Sequence, residues 1–318
     1  MIKANLVHLS YNMWRDREFR DSDDPRQKDI FYDPRLRFDE RLWRDVITRM
    51  AEAGMNMVIL DLGDAVLYHS HPEIAIAGAW PDTKLRQELD FCRKLGVEPI
   101  PKLNFSACHD AWLGEYARKL ATREYYTVCA DLIREVADIF GGPRFFHIGM
   151  DEENWQLQRD LLYVVIRQSE LWWHDLNFLV QAVERAGARA WVWSDVLWAC
   201  ERHVFQANMP RSVLQSNWYY EDTFPLPENN PLNCVRAYHW LDEMGYEQVP
   251  TGSTWSHREN YARTMEYCRE HLSAQRLLGF MMTTWRPTLE AWRQTHLDAI
   301  GIVRSTADSA AGEGPLAR

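Results

Sequence analysis

Short apolar runs alternate with amphipathic stretches along almost the whole chain, and that alternation limits the fold more tightly than any other feature. Residues 3–10 read as a first strand, and a helix at 39–53 is stopped by Gly54. Met55–Leu60 is a second strand, followed by a helix at 83–95 and a third strand, Val97–Leu103. A helix at 122–139 leads to a fourth strand, which starts after Gly141-Gly142-Pro143. The pattern continues with a helix at 169–187, strand Arg189–Asp195, a short helix near 200–207 and strand Ser212–Trp218. A weaker strand, Gln248–Gly252, precedes a helix at 259–272, and the last strand, Leu278–Thr284, precedes a helix at 288–304. Strands separated by helices argue a parallel sheet, and eight such units argue closure into a (β/α)8 TIM barrel. The expected organisation is α/β, with one catalytic barrel over 1–304 and a flexible, Ala/Ser/Gly-rich tail over 305–318.

A barrel of this kind builds its site at the C-terminal ends of its strands. The fourth strand has the most pointed exit, Arg144-Phe-Phe-His-Ile-Gly-Met-Asp-Glu-Glu153, an apolar run ending in three carboxylates. Alternation sends His147, Gly149 and Asp151 to one face and leaves Glu152 at the rim. Adjacent carboxylates divide acid and base roles when their surroundings separate their pKa values. An acid pair that merely caps the next helix fits this motif alone equally well.

The remaining exits gather acids and aromatics. Strand two ends in Asp61 and Asp64, and strand three in Asn104 and His109. Strand five carries Trp191, Trp193 and Asp195 on one face; strand six ends Asn217-Trp-Tyr-Tyr-Glu-Asp222, and strand eight Thr283-Thr-Trp285-Arg286. There is no phosphate-binding loop and no GxGxxG motif. The chain has 15 Trp, and indole faces stack on the apolar faces of sugar rings. Acids and aromatics around one mouth point to glycoside chemistry. The exit of strand seven, Thr251-Gly-Ser-Thr-Trp255-Ser-His257, supplies no second carboxylate as nucleophile. That omission favours a mechanism in which the substrate itself provides the nucleophile.

Charge and cysteine usage exclude other classes. A formal charge of −10 without a basic run disfavours nucleic acid and anionic membrane as partners. Six scattered cysteines with no CxxC pair fit reduced thiols, and the N-terminus enters a strand without a signal-like apolar segment. A cytoplasmic protein is expected, acting on a small-molecule glycoside or oligosaccharide and requiring no cofactor; homo-oligomerisation is left open. A metal site from His69, His71, Asp61 and Asp64 is the weaker alternative, since no third histidine has suitable spacing.

His147-Ile-Gly-Met-Asp-Glu152 resembles the His-x-Gly-x-Asp-Glu signature of the family 20 glycoside hydrolases, the β-N-acetylhexosaminidases. Asn56 through Asp64 resembles their Asn…His-Leu-x-Asp strand, with Asp61 in place of the histidine, and His71-Pro-Glu-Ile74 resembles Tyr-Pro-Glu-Leu. Pro101-Lys-Leu-Asn-Phe-Ser-Ala-Cys-His109 is similar to Pro-Glu-Ile-Asp-x-Pro-Gly-His, with both acids and the Pro-Gly changed. Tyr220-Glu-Asp222 is similar to the Tyr-x-Asp that grips the acetamide, and Gly279 through Trp285 falls in register with the last strand. The arginine that reads sugar hydroxyls has no clear match beyond Arg15, and the acid after the final Trp is Pro287. No counterpart is read for the smaller N-terminal domain that often precedes the family barrel.

The resemblance implies Glu152 as general acid and Asp151 as the group that orients the 2-acetamido group. It implies Tyr220 as its hydrogen-bond donor, and Trp193, Trp218 and Trp285 as walls of the sugar pocket. Asp222, Asp195, Asn104 and Arg15 complete the expected substrate contacts. It also implies an Asp64–His109–Glu152 hydrogen-bonded chain behind the acid. Three functions stay open: a retaining, substrate-assisted exo-β-N-acetylhexosaminidase; a glycosidase of the same barrel type for another sugar; and a non-catalytic sugar-binding barrel.

Overall fold

The structure is a computed structural model that describes residues 1–225 and 232–312. Eight parallel strands form one sheet: β1 (Ile2–His8), β2 (Met57–Asp61), β3 (Glu98–Lys102), β4 (Phe145–His147), β5 (Arg189–Trp193), β6 (Leu214–Ser216), β7 (Thr251–Ser253) and β8 (Gly279–Thr283). Their order runs β6-β5-β4-β3-β2-β1-β8-β7. Bridges Gln215↔Gln248 and Trp218↔Thr251 join the two ends and close the (β/α)8 barrel. Ten helices lie between and after the strands: α1 (Glu40–Glu52), α2 (Asp82–Lys94), α3 (Arg123–Ile139), α4 (Trp155–Gln158), α5 (Ser169–Arg185), α6 (Val196–Ala199), α7 (Arg202–Asn208), α8 (Asn233–Glu243), α9 (Asn260–His271) and α10 (Arg293–Gly312).

Local chemistry sets several boundaries. The Asp39 carboxylate accepts from the N–H groups of Arg41 and Leu42 and so starts α1. Thr122 does the same for Tyr125 at the start of α3. α1 buries Leu42, Trp43, Val46, Ile47 and Met50, the spacing of one apolar face against the sheet. No helix among the described residues is long and apolar enough to cross a membrane, and all six cysteines are unpaired.

The structure departs from the sequence reading in three places. α8 is a helix where none was expected. The β7 segment pairs mainly through Thr251–Ser253, although Gln248 also bridges Leu277. α10 begins later than expected, after a 3-10 turn at Glu290–Trp292, and continues to Gly312. The expected tail is therefore helical over its first part, and 313–318 lie outside the described residues.

A polar layer crosses the barrel interior just beneath the mouth. His8, Asp61, Lys102, His147 and Trp191 are register partners on successive strands, so their side chains share one face. All five are buried. The Lys102 ammonium donates to Asp61, and His8 Nδ1 lies 3.5 Å from the same carboxylate. Burial alone would raise the Asp61 pKa, but Lys102 and His8 outweigh it and hold the carboxyl down at about 2. Burial and the Lys102 charge together push His147 well below its ordinary value, so that imidazole is neutral.

Candidate active site at the barrel mouth

The exit of β4 is a strained turn. Gly149, Met150 and Glu152 have φ of 71°, 74° and 56°, the left-handed region in which a side chain costs roughly 1–2 kcal/mol. At Gly149 the requirement is steric as well, because a Cβ there would collide with the Asn104 side chain and its Cα. The absence of that carbon lets Asn104 Nδ2 reach Asp151 Oδ1 at 2.9 Å. Ser106 Oγ donates to the Asp151 carbonyl. The Glu152 N–H donates to Asp195 Oδ2 at 2.7 Å, which fixes the second left-handed residue.

The next acid has a different task. Glu153 is almost fully buried against the Arg167 guanidinium, which also donates to the Phe105 carbonyl. Glu153 Oε1 accepts from the Ala107 N–H at 2.9 Å. Arg167 thus ties the loop after β4 to the loop after β3, and its charge is balanced by Glu153 and by Asp175 at 3.4 Å.

His109 joins the two remaining carboxylates. Its Nε2 lies 3.1 Å from Glu152 Oε2 and 3.4 Å from Asp151 Oδ2. Burial pulls the imidazole toward neutrality, but Asp151 and Glu152 outweigh it and lift its pKa to about 9. Burial raises the Asp151 pKa, opposed by His109 and by Lys102 from the layer below. An imidazolium flanked by two acids is the resulting arrangement near neutral pH. Ligand atoms of His109, Asp151 and Glu152 lie within 4.8 Å of one another, making them the group best placed among the described residues to hold a cation. The imidazolium proton already accounts for that closeness.

The expected chain through Asp64 does not form. Asp64 accepts from Ser10 Oγ at 2.5 Å and from Asn12 Nδ2 at 2.9 Å, and both bonds brace the turn after β1. His109 Nδ1 meets no hydrogen-bonding group among the described residues, while Trp14 packs edge-on against the ring at 4.7 Å. Burial raises the Asp64 carboxyl to about 7. The weaker metal alternative is not assembled either: His71 faces Glu73 and Asp131, His69 lies 3.9 Å from Asp82, and Asp61 is held by Lys102.

Asp151 and Glu152 open onto a cavity of about 440 Å³, walled by Trp14, Trp198, Trp218, Tyr219, Tyr220, Trp255 and Trp285, with Glu221, Cys234 and Ser256 at its border. Tyr220 stacks on Trp218 at 4.9 Å and accepts from Trp285 Nε1 at 3.0 Å. Burial raises the Tyr220 pKa, so its proton stays on and remains available for donation.

Four residues expected to touch substrate sit elsewhere. Trp193 is buried below the floor, 4.7 Å from His147 and 5.8 Å from Trp285. Asp195 holds the Glu152 backbone from the side. The Asp222 side chain is 52% exposed, with its carboxylate 3.9 Å from His257. Arg15 is paired with Asp160 at 2.9 Å, outside the lining of this cavity. Sequence reasoning in turn missed Trp14, Trp198 and Trp255 as wall residues. Trp255 stood in the strand-seven exit but was read only for its lack of a carboxylate. Trp198 lies three residues beyond Asp195, a spacing that could have signalled it.

No family model and no curated protein sequence matches the chain. Solved structures do. Flavobacterium johnsoniae chitobiase superposes with a TM-score of 0.59 at 16% identity, over 82% of this chain and 45% of that one. The family 20 exo-β-N-acetylglucosaminidase of Vibrio harveyi, solved in complex with N-acetylglucosamine, gives 0.63 at 12% identity, over 98% and 56%. Dispersin B gives 0.56 at 14% identity, over 87% of this chain and 95% of its own. The chain therefore spans about half the length of the first two. The likeness is one of fold, and this protein is a divergent barrel of the kind found in the family 20 β-N-acetylhexosaminidases.

Proposed function

We propose that the protein is a retaining exo-glycoside hydrolase that removes terminal β-linked N-acetylhexosamine by substrate-assisted catalysis. The observation that carries this reading is the Asp151–Glu152 pair bridged by His109 at the opening of an aromatic-walled cavity. The oxygens of Asp151 and Glu152 that face His109 lie within 4.8 Å of each other. An inverting pair stands ~6.5–9.5 Å apart to admit a water, so this spacing supports retention.

Glu152 donates its proton to the glycosidic oxygen as the bond to the anomeric carbon breaks. The acetamide oxygen of the substrate attacks that carbon and forms a cyclic oxazolinium. Asp151 receives the acetamide N–H and stabilises the positive charge that develops there, while Asn104 holds the carboxylate in place. The Tyr220 hydroxyl accepts from the Trp285 indole, which leaves its own proton free for the acetamide oxygen. Glu152, now ionised, takes a proton from water as that water opens the ring with retained configuration. His109 supports each ionised state of Glu152 through its positive charge.

The deciding experiment is Glu152→Gln assayed on a series of aryl glycosides of N-acetylglucosamine. General-acid catalysis is worth ~10²–10⁴-fold and is needed in proportion to leaving-group basicity. The loss in kcat should be largest for basic leaving groups and small for activated ones. A loss of the same size across the series would overturn the acid role. Weak inhibition by a thiazoline analogue, no better than by free N-acetylglucosamine, would overturn the substrate-assisted step.

A further inference from the structure

A second cavity, of about 810 Å³, opens on the other side of Glu152. The two cavities share only Glu152 and Trp198 among the residues that line them. Trp198 is therefore a partition with one side toward each space, and it is firmly held. Its Nε1 donates to Asn217 Oδ1 at 2.8 Å, its carbonyl accepts from Asn233 Nδ2 at 2.7 Å, and its ring meets Trp218 edge-on at 4.4 Å. A general acid must face the bond it breaks, with the sugar to be released on one side and the leaving group on the other. Glu152 is the one carboxylic acid placed between two spaces in that way among the described residues.

Resting on the function proposed above, we infer that the second cavity is the leaving-group subsite and that the substrate is an uncharged oligosaccharide extending past Trp198. The cavity is nearly twice the size of the first, enough for more than a small aglycone. Its charged lining selects what enters. Glu152, Glu153, Glu170, Asp195 and Glu201 face it, and the one cation, Arg167, is already neutralised by Glu153 and Asp175. A sulfated or uronic sugar would meet carboxylates with no free counter-charge, whereas hydroxyl and acetamide groups can donate to them. The alcohol released at this subsite carries the proton that Glu152 gives to the bridging oxygen.

The test uses binding by the Glu152→Gln protein, read by calorimetry, with N-acetylglucosamine, N,N′-diacetylchitobiose and a chitobiose sulfated on its reducing-end sugar. The disaccharide should bind at least tenfold more tightly than the monosaccharide, and the sulfated disaccharide should show no such gain. Ala199→Trp, which projects an indole into the second cavity, should abolish the gain while the monosaccharide still binds. Glu201→Arg should restore binding of the sulfated sugar. Ala199 and Glu201 are both exposed, so neither change threatens folding. Equal affinity for monosaccharide and disaccharide, or a gain that survives Ala199→Trp, overturns the subsite. Failure of the wild-type protein to hydrolyse any N-acetylglucosaminide, with the binding gain intact, overturns the catalytic reading and leaves the subsite standing.

Discussion

The backbone N–H of Glu152 donates to Asp195 Oδ2 at 2.7 Å, and that bond holds a left-handed residue at the centre of the site. Strain of this kind, roughly 1–3 kcal/mol, persists only where surrounding groups over-determine it. Asp195→Ala removes the acceptor and should lower kcat by ten- to a hundredfold, since Glu152 would relax away from the bond it protonates. Asp195→Asn keeps an amide oxygen for the same N–H and should recover most of the rate. Equal losses in the two variants would show that the carboxylate acts by charge and not by position.

His109 sets the basic side of the pH dependence. Its folded-state pKa of about 9 lies above its ordinary value because Asp151 and Glu152 outweigh its burial. The stabilising charge is therefore complete below about pH 6.5 and is lost as the pH rises through about 9. The basic limb of kcat/KM should fall in that upper range. His109→Gln keeps a donor for Glu152 but cannot titrate, so the limb should move or vanish while activity drops. An unmoved limb in this variant would remove His109 from the proton inventory.

Asp64 gives a stability effect of the opposite sign to the usual surface carboxylate. Burial raises its folded-state pKa to about 7, so the folded protein holds a proton that the unfolded chain has already released. Stability from this group falls between about pH 4 and pH 7 and then levels. Asp64→Asn reproduces the protonated form, accepting from Asn12 and donating to Ser10. Thermal unfolding should occur several degrees higher in the variant at pH 8 and at nearly the same temperature at pH 4. A gain that is independent of pH would show that Asp64 does not titrate in this range.

What was legible in the sequence follows from the range of the interactions involved. The β4 exit could be read because Asp151 and Glu152 end a strand of alternating burial, a relation confined to a few residues. Barrel closure could be read because strands and helices each advertise their own period. α8 was missed because Asn233–Glu243 is short and has no side-chain cap at its start. The cavity wall was harder still. Trp14, Trp198 and Trp255 stand on the loops after β1, β5 and β7, and nothing local marks their convergence. Asp64 and His109 were joined by resemblance alone. Only the three-dimensional neighbours Ser10 and Asn12 reveal that both Asp64 oxygens are already engaged.

Gly149 offers the sharpest test of how the backbone serves the site. Its φ of 71° disfavours any other residue, and an added Cβ would collide with the Asn104 side chain and Cα. Both penalties fall on the bond that orients Asp151, from Asn104 Nδ2 at 2.9 Å. Gly149→Ala should therefore destabilise the fold by about 1–3 kcal/mol, counting conformational strain and overpacking together. It should also lower kcat by more than a hundredfold, because a small displacement of a reacting group costs about that much. Pairing it with Asn104→Ala, which clears the space for the new methyl, should recover stability but not rate, since Asp151 would still lack its donor. Recovery of both in the double variant would mean that Asp151 is positioned by something other than Asn104.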